Sequence, residues 1–164
     1  RLEVQRPYMS EAERAAFLNL FNETGLRTMV GFAVMGGIFG EGIDLMGERL
    51  VGAVIVGVGL PQICLERDLL RLYYDDAERP GFEFAYTYPG MNRVLQAAGR
   101  VIRSADDRGI VLLIDRRFNQ ARYQRLFPAH WRGASRVCDT EQIKRRVDDF
   151  WQKVNDTEEP DGFV

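Results

Sequence analysis

Leu50-Val51-Gly52-Ala53-Val54-Ile55-Val56-Gly57-Val58-Gly59-Leu60-Pro61, written LVGAVIVGVGLP, is the stretch on which the fold turns. It is uncharged, rich in β-branched residues and punctuated by glycine. At twelve residues it is too short for a membrane helix, which needs about 18 apolar residues. It suits a parallel strand covered on both faces. Gly109 to Asp115 (GIVLLID) reads the same way, and Met91 to Arg103 between them has helical spacing. Strand, helix, strand in that order predicts an α/β fold with a parallel sheet.

Working outward, Arg1 to Arg6 (RLEVQR) alternates like a strand end, and Ser10-Glu11-Ala12-Glu13 has capping-box spacing. Ala16, Phe17, Leu20 and Phe21 then recur at helical intervals. Thr28 to Met35 (TMVGFAVM) predicts a buried strand, followed by a glycine-rich loop from Gly36 to Asp44 (GGIFGEGID). Leu65, Leu69 and Leu72 mark a helix. Asp75 to Pro89 carries glycine, prolines and aromatics without period and is expected to be a long loop. A basic stretch with Arg116, Arg117, Arg122 and Arg125 leads to Pro128, and Ser135 to Cys138 is expected to be a last strand. Ile143, Val147, Phe150 and Val154 share one face of a closing helix. The expected organisation is one domain over residues 1–154 and a flexible tail over 155–164.

The 164 residues are 46% hydrophobic and 28% charged, the balance of a globular domain able to bury a core. No membrane span or signal peptide is expected, and Cys64 and Cys138, far apart and without a CxxC partner, suggest a cytoplasmic thiol pair with no metal site. Charge is uneven. Arg93 to Arg146 holds thirteen Lys and Arg against five Asp and Glu, while the remainder holds nine against nineteen. Such a segment can attract phosphate, or its arginines can form solvated faces that pair with the acidic remainder.

Two loops begin at the carboxyl ends of strands, where open parallel sheets bind ligands. Nine of the sixteen glycines fall between Gly31 and Gly59, which suits either close backbone approach to a phosphate or plain turn chemistry. No GxxxxGK[ST] is present, since the only lysines are Lys144 and Lys153. Asp44 can cap the next turn, or it can hold a catalytic water, a metal-bound oxygen or a ribose. On the helix of QAAGRVIRS (Gln96 to Ser104), Gln96, Arg100 and Arg103 lie at i, i+4 and i+7, with Leu95, Ala98 and Ile102 on the other side. Two guanidinium groups one turn apart match polyphosphate oxygens, although a solvated face has the same spacing.

Taken together, the segments resemble the second RecA-like motor domain of the XPD and DinG helicases of superfamily two. Glu41-Gly42-Ile43-Asp44 resembles the EGID core of motif V, LVGAVIVGVGLP the strand and proline after it, QAAGRVIRS the QxxGRxIR of motif VI, and GIVLLIDRRF (Gly109 to Phe118) the strand and DxRF element that close it. The resemblance spans most of Arg1 to Trp151. It implies a RecA-like parallel sheet sandwiched by helices, here without its opening strand. It also implies a 5′ to 3′ DNA helicase of repair or replication type, with ATP and Mg held mainly by a first RecA-like domain that is the partner of this one. Under it, Glu41, Gly42 and Asp44 face the nucleotide, Gln96 senses it, and Arg100 and Arg103 approach the phosphates, one as an arginine finger.

Gly37, Phe39, Gly40 and Arg117 are the expected contacts to single-stranded DNA. The P-loop, the magnesium box and any iron–sulfur cluster belong to the family's first domain, so the chain is expected to be a carboxyl-terminal piece that hydrolyses ATP negligibly alone. The competing reading is a non-catalytic regulatory or interaction module that keeps the helicase fold.

Overall fold

The computed structural model describes residues 1–22, 28–39, 50–102 and 107–158. They fall into two compact units, Arg1–Leu126 and Phe127–Val164.

In the first unit β1 (Leu2–Val4) pairs in parallel with β2 (Val30–Phe32), Leu2 opposite Val30 and Val4 opposite Phe32. β3 (Gly52–Val56) pairs in parallel with β4 (Ile110–Ile114), from Gly52 opposite Ile110 to Val56 opposite Ile114. Parallel neighbours require crossovers. These are α1 (Glu11–Asn19) for the first pair, and α2 (Leu65–Asp76) and α3 (Tyr88–Ala98) for the second. The fold is α/β with parallel strands, as the sequence indicates, but TMVGFAVM is strand only over Val30–Phe32.

The capping box starts α1 as its spacing requires. Ser10 Oγ accepts from Glu13 N–H at 3.3 Å, and Glu13 Oε2 accepts from Ser10 N–H at 2.8 Å. Phe17 of this helix joins Met9 and Phe39 in a buried cluster, with the Phe17 and Phe39 rings stacked at 4.5 Å. Gly31 lets β2 approach Phe17 and Phe21, which packs against this cluster, since a Cβ there would stand 3.1 Å from Phe17 Cζ and 2.7 Å from Phe21 Cζ. The other face of the β1–β2 pair, bearing Leu2, Val4, Val30 and Phe32, is exposed.

Three further elements of this unit differ from expectation. The β3 strand is not covered on both faces: Ile55 is buried, while Val54 and Val56, which point the other way along the pleat, are 63% and 70% exposed. In α2 the predicted helix is present, but Leu65, Leu69 and Leu72 face outward. Its polar side turns inward instead, where Arg67 Nη1 donates to the Ala85 carbonyl at 3.3 Å and Asp68 Oδ1 accepts from the Tyr86 hydroxyl at 2.9 Å.

The third difference is the expected loop from Asp75 to Pro89, which is helical from Gly81 onward. A widened π turn at Glu83–Thr87 runs directly into α3. Pro89 is tolerated because this turn absorbs it: Tyr88 N–H reaches back to the Glu83 carbonyl, and the Ala85 carbonyl, four residues before the proline, takes its hydrogen bond from Arg67. The aromatics that show no period are spent against α2, with Tyr74 and Phe84 stacked at 4.2 Å.

After β4 a 3-10 turn (Arg116–Asn119) and the short α4 (Ala121–Gln124) bury Phe118 and Tyr123. In the second unit, Ser135 to Cys138 forms no strand. The chain there leads to α5 (Thr140–Glu158), whose start is held by Asp139 Oδ1 accepting from Gln142 N–H at 2.7 Å. Ile143, Val147, Phe150 and Val154 are its half-buried stripe. The helix runs past Asn155, where the tail was expected to begin. No described helix is long and apolar enough to cross a membrane.

Candidate active site

Helix α3 carries the arginine stripe, and its packing decides which side the stripe faces. Met91, Val94, Ala98 and Val101 are buried at i, i+3, i+7 and i+10. The inward face therefore runs through Val94 and Val101, not through Leu95 and Ile102, of which Ile102 is 44% exposed. On the opposite side Gln96 is exposed and Arg100 half-buried.

The helix stops earlier than its sequence spacing suggests. Gly99 N–H donates to the Leu95 carbonyl at 2.8 Å. The next two amides then tighten to i−3 bonds, Arg100 N–H to Ala97 at 3.4 Å and Val101 N–H to Ala98 at 3.0 Å. Gly99 is thus the end of the helix; among the described residues, no atom outside the preceding turn lies within 4 Å of where its Cβ would be. Arg100 sits in the tightened turn, one turn from Gln96. Arg103 lies outside the described residues, so the third member of the stripe is not placed.

A residue absent from the sequence-based set completes this face. Arg93, three residues before Gln96 and seven before Arg100, donates from Nη1 to the Gly59 carbonyl at 3.3 Å. Its side chain also lies on Gly36: a Cβ there would stand 2.9 Å from Arg93 Nε and 3.0 Å from Cδ. Gly36 has φ +74°, which favours glycine, and Gly59 has φ +63°. The spacing i, i+3, i+7 was the available signal for Arg93.

Gly36 opens the loop that leads to EGID. The approach to it is fixed by Gln5, just after β1, whose Oε1 accepts from Val34 N–H at 2.8 Å, and by a turn in which Gly37 N–H donates to the Val34 carbonyl at 2.9 Å. Gly37 is half-buried. Phe39, an expected DNA contact, is 5% exposed and stacked on Phe17, where its large ring gains from burial in the core. Gly40, Glu41, Gly42 and Asp44 lie outside the described residues.

Arg117, the remaining expected DNA contact, is occupied within its own turn. Asp115, which follows β4 and caps the 3-10 turn, accepts from Arg117 N–H at 2.8 Å, from Nε at 3.0 Å and from Nη2 at 2.7 Å. The Arg117 side chain holds the Asp115 carboxyl below the usual carboxylate range, against a smaller upward push from burial. The guanidinium is correspondingly raised, first by the same hydrogen bonds. Arg116, Arg122 and Arg125 around this turn are exposed.

The donor set on α3 is an amide and guanidinium groups, which suits phosphate oxygens. Among the described residues no group of three or more His, Cys, Asp or Glu is placed to hold a metal ion.

Comparison with known proteins gives a consistent picture. A family model described as helicase C-terminal domain matches residues 1–134. A regulator of telomere elongation helicase 1 homolog of Caenorhabditis elegans is 32% identical over 130 residues, 74% of this chain and 13% of that protein. A probable ATP-dependent helicase of Methanocaldococcus jannaschii is 36% identical over 98 residues, 54% of this chain and 15% of that protein. The ATP-dependent DNA helicase DinG of Photobacterium profundum is 32% identical over 89 residues, 53% of this chain and 13% of that protein. The chain thus spans about an eighth of the length of these curated relatives.

Proposed function

The chain belongs to the helicase C-terminal domain family, and we propose that it is the second motor half of an ATP-dependent DNA helicase, completing a nucleotide site whose other wall is a first RecA-like domain. The observation that carries this is the two-sidedness of α3. Met91, Val94, Ala98 and Val101 bury one side, and the other presents Gln96 and Arg100 one turn apart. The tightened turn that follows it, anchored by the buried Val101, holds the backbone of Arg100 in a fixed place.

Bound ATP supplies the phosphoryl group transferred to water. Arg100 and Arg103 face its phosphates, one of them as an arginine finger that stabilises charge on the transferring group, an effect of about 10³ to 10⁵ in rate in related NTPases. Gln96, one turn away, hydrogen-bonds and senses the nucleotide. Asp44 and the Glu41–Gly42 backbone contribute from the loop that begins at Gly36. Mg is held mainly by the first domain, and so is an iron–sulfur cluster where one is present. Because the guanidinium is always charged, its contribution costs no proton transfer at neutral pH.

Single-stranded DNA is the track, followed 5′ to 3′, in repair or replication within the cytoplasm. The backbone around Gly37 and Gly40 and the exposed Arg116, Arg122 and Arg125 are its contacts, whereas Phe39 and Arg117 hold the loops that present them. ATP hydrolysis by the full-length protein, measured with and without single-stranded DNA, tests the reading. Stimulation by DNA is expected. Hydrolysis that is absent in both conditions would instead favour a regulatory module on a helicase fold.

A further inference from the structure

We propose that Arg93 is a positioning residue of this motor half, clamping the start of the motif V loop and the turn after β3 onto helix α3, so that both move as one with Gln96 and Arg100. The inference rests on the motor reading above and assigns a role that the EGID and QxxGRxIR motifs do not include.

The clamp has three points. Arg93 Nη1 donates to the Gly59 carbonyl at 3.3 Å. The stem and guanidinium of Arg93 lie against one side of Gly36, with Nε, Cδ and Cζ all within 3.2 Å of where a Cβ would be. Below them the chains touch directly: a Cβ on Gly90, one turn before Arg93, would stand 2.7 Å from the Val58 carbonyl oxygen, and one on Gly59 would stand 3.3 Å from Met35 Cε. Met35 and Gly36 from the loop, Gly59 from the turn, and Gly90 and Arg93 from the helix thus form one knot.

Arginine fits this knot for a geometric reason. Its planar group can lie flat on a glycine backbone while an edge N–H donates sideways, which the point charge of lysine cannot do at the same time. The consequence follows along the chain. Gly36 is five residues before Glu41, so the base of the EGID loop is fixed to the helix that carries the stripe. With the clamp released, the two sets of nucleotide-facing groups lose their common register, and misplacement of about 1 Å is enough to cost up to a hundredfold in rate.

The test uses the full-length protein with Arg93→Ala, Arg93→Lys and Gly36→Ala. Amide hydrogen exchange is read at Met35–Phe39 and at Gly59, and DNA-stimulated ATP turnover is measured on the same samples. In Arg93→Ala, exchange should quicken in those two segments while Met91–Ala98 stays protected. The kcat should fall by between about tenfold and a hundredfold, with KM for ATP within about twofold. Arg93→Lys should fold normally and recover little of the loss, and Gly36→Ala combined with Arg93→Ala should be no worse than the more damaging single change.

Unchanged exchange in Arg93→Ala would overturn the clamp. Quickened exchange with wild-type kcat, full rescue by lysine, or a kcat loss that merely follows loss of folded protein would overturn the positioning role. A wild-type protein that hydrolyses no ATP would overturn the motor reading and the positioning role together, and is distinguished from the other outcomes because it precedes any substitution.

Discussion

Gly59 and Gly90 meet backbone to backbone: a Cβ on Gly59 would stand 2.8 Å from the Gly90 carbonyl oxygen. This contact lets α3 lie directly on the turn after β3. Gly90→Ala should therefore cost about 1–3 kcal/mol, because a methyl group forced against backbone cannot be relieved by a rotamer change. Gly59→Ala should cost more, since φ +63° adds strain to the overlap. A fall in denaturation midpoint for both, larger for Gly59→Ala, checks this.

Phe39 separates a core role from a DNA-contact role. Stacked on Phe17 and almost fully buried, it should cost about 3–5 kcal/mol when replaced by alanine. Phe39→Leu should cost much less. Compared at equal folded fraction, DNA affinity should be the same for Phe39→Leu and wild type. A direct contact would instead weaken binding without loss of stability.

Much of this architecture is legible in the sequence, for physical reasons. The glycine-bounded, β-branched runs of β3 and β4 favour strands, and the spacing of Ser10 and Glu13 matches the capping box that starts α1. What failed depended on tertiary partners. Pro80, Gly81 and Pro89 read as loop residues until Arg67 is seen to take the carbonyl that Pro89 leaves without a donor. The leucines of α2 locate a helix but not its inward face, which is set by Asp68 and Arg67 meeting Tyr86 and Ala85. Ser135 to Cys138 has strand composition, but no neighbouring strand pairs with it among the described residues. The stripe of Gln96 and Arg100 was readable from spacing alone. Arg93 belongs to the same spacing, yet its role depends on two glycines far away in the chain.

Asp115 gives a pH signature. Its folded-state pKa is lowered by Arg117, so in acid the unfolded chain binds more protons than the native one, and stability rises with pH. The contribution is complete above the ordinary aspartate value of about 3.9 and is lost as pH falls through the lowered one. Asp115→Asn should lower stability at neutral pH and flatten the acid side of the profile. Melting temperatures of both proteins between about pH 2 and pH 6 test this, the span that brackets the ordinary carboxylate range.

The basic turn after β4 makes a prediction about salt. Replacing Arg116, Arg122 or Arg125 by glutamine should weaken single-stranded DNA binding whatever the base sequence, and each should reduce the slope of log affinity against log salt by about 0.7. Arg117→Gln should act mainly on stability, because its charge is already paired with Asp115. Titrations at several salt concentrations distinguish the two classes.

The most direct test of the motor assignment is ATP turnover by full-length Arg100→Ala and Arg103→Ala, measured beside ATP binding in saturating single-stranded DNA. In the variant that lacks the arginine finger, kcat should fall by about 10³ or more, with nucleotide affinity changed only a few-fold, since the guanidinium acts on charge that develops during phosphoryl transfer. Turnover at the wild-type rate in both variants would contradict the motor assignment.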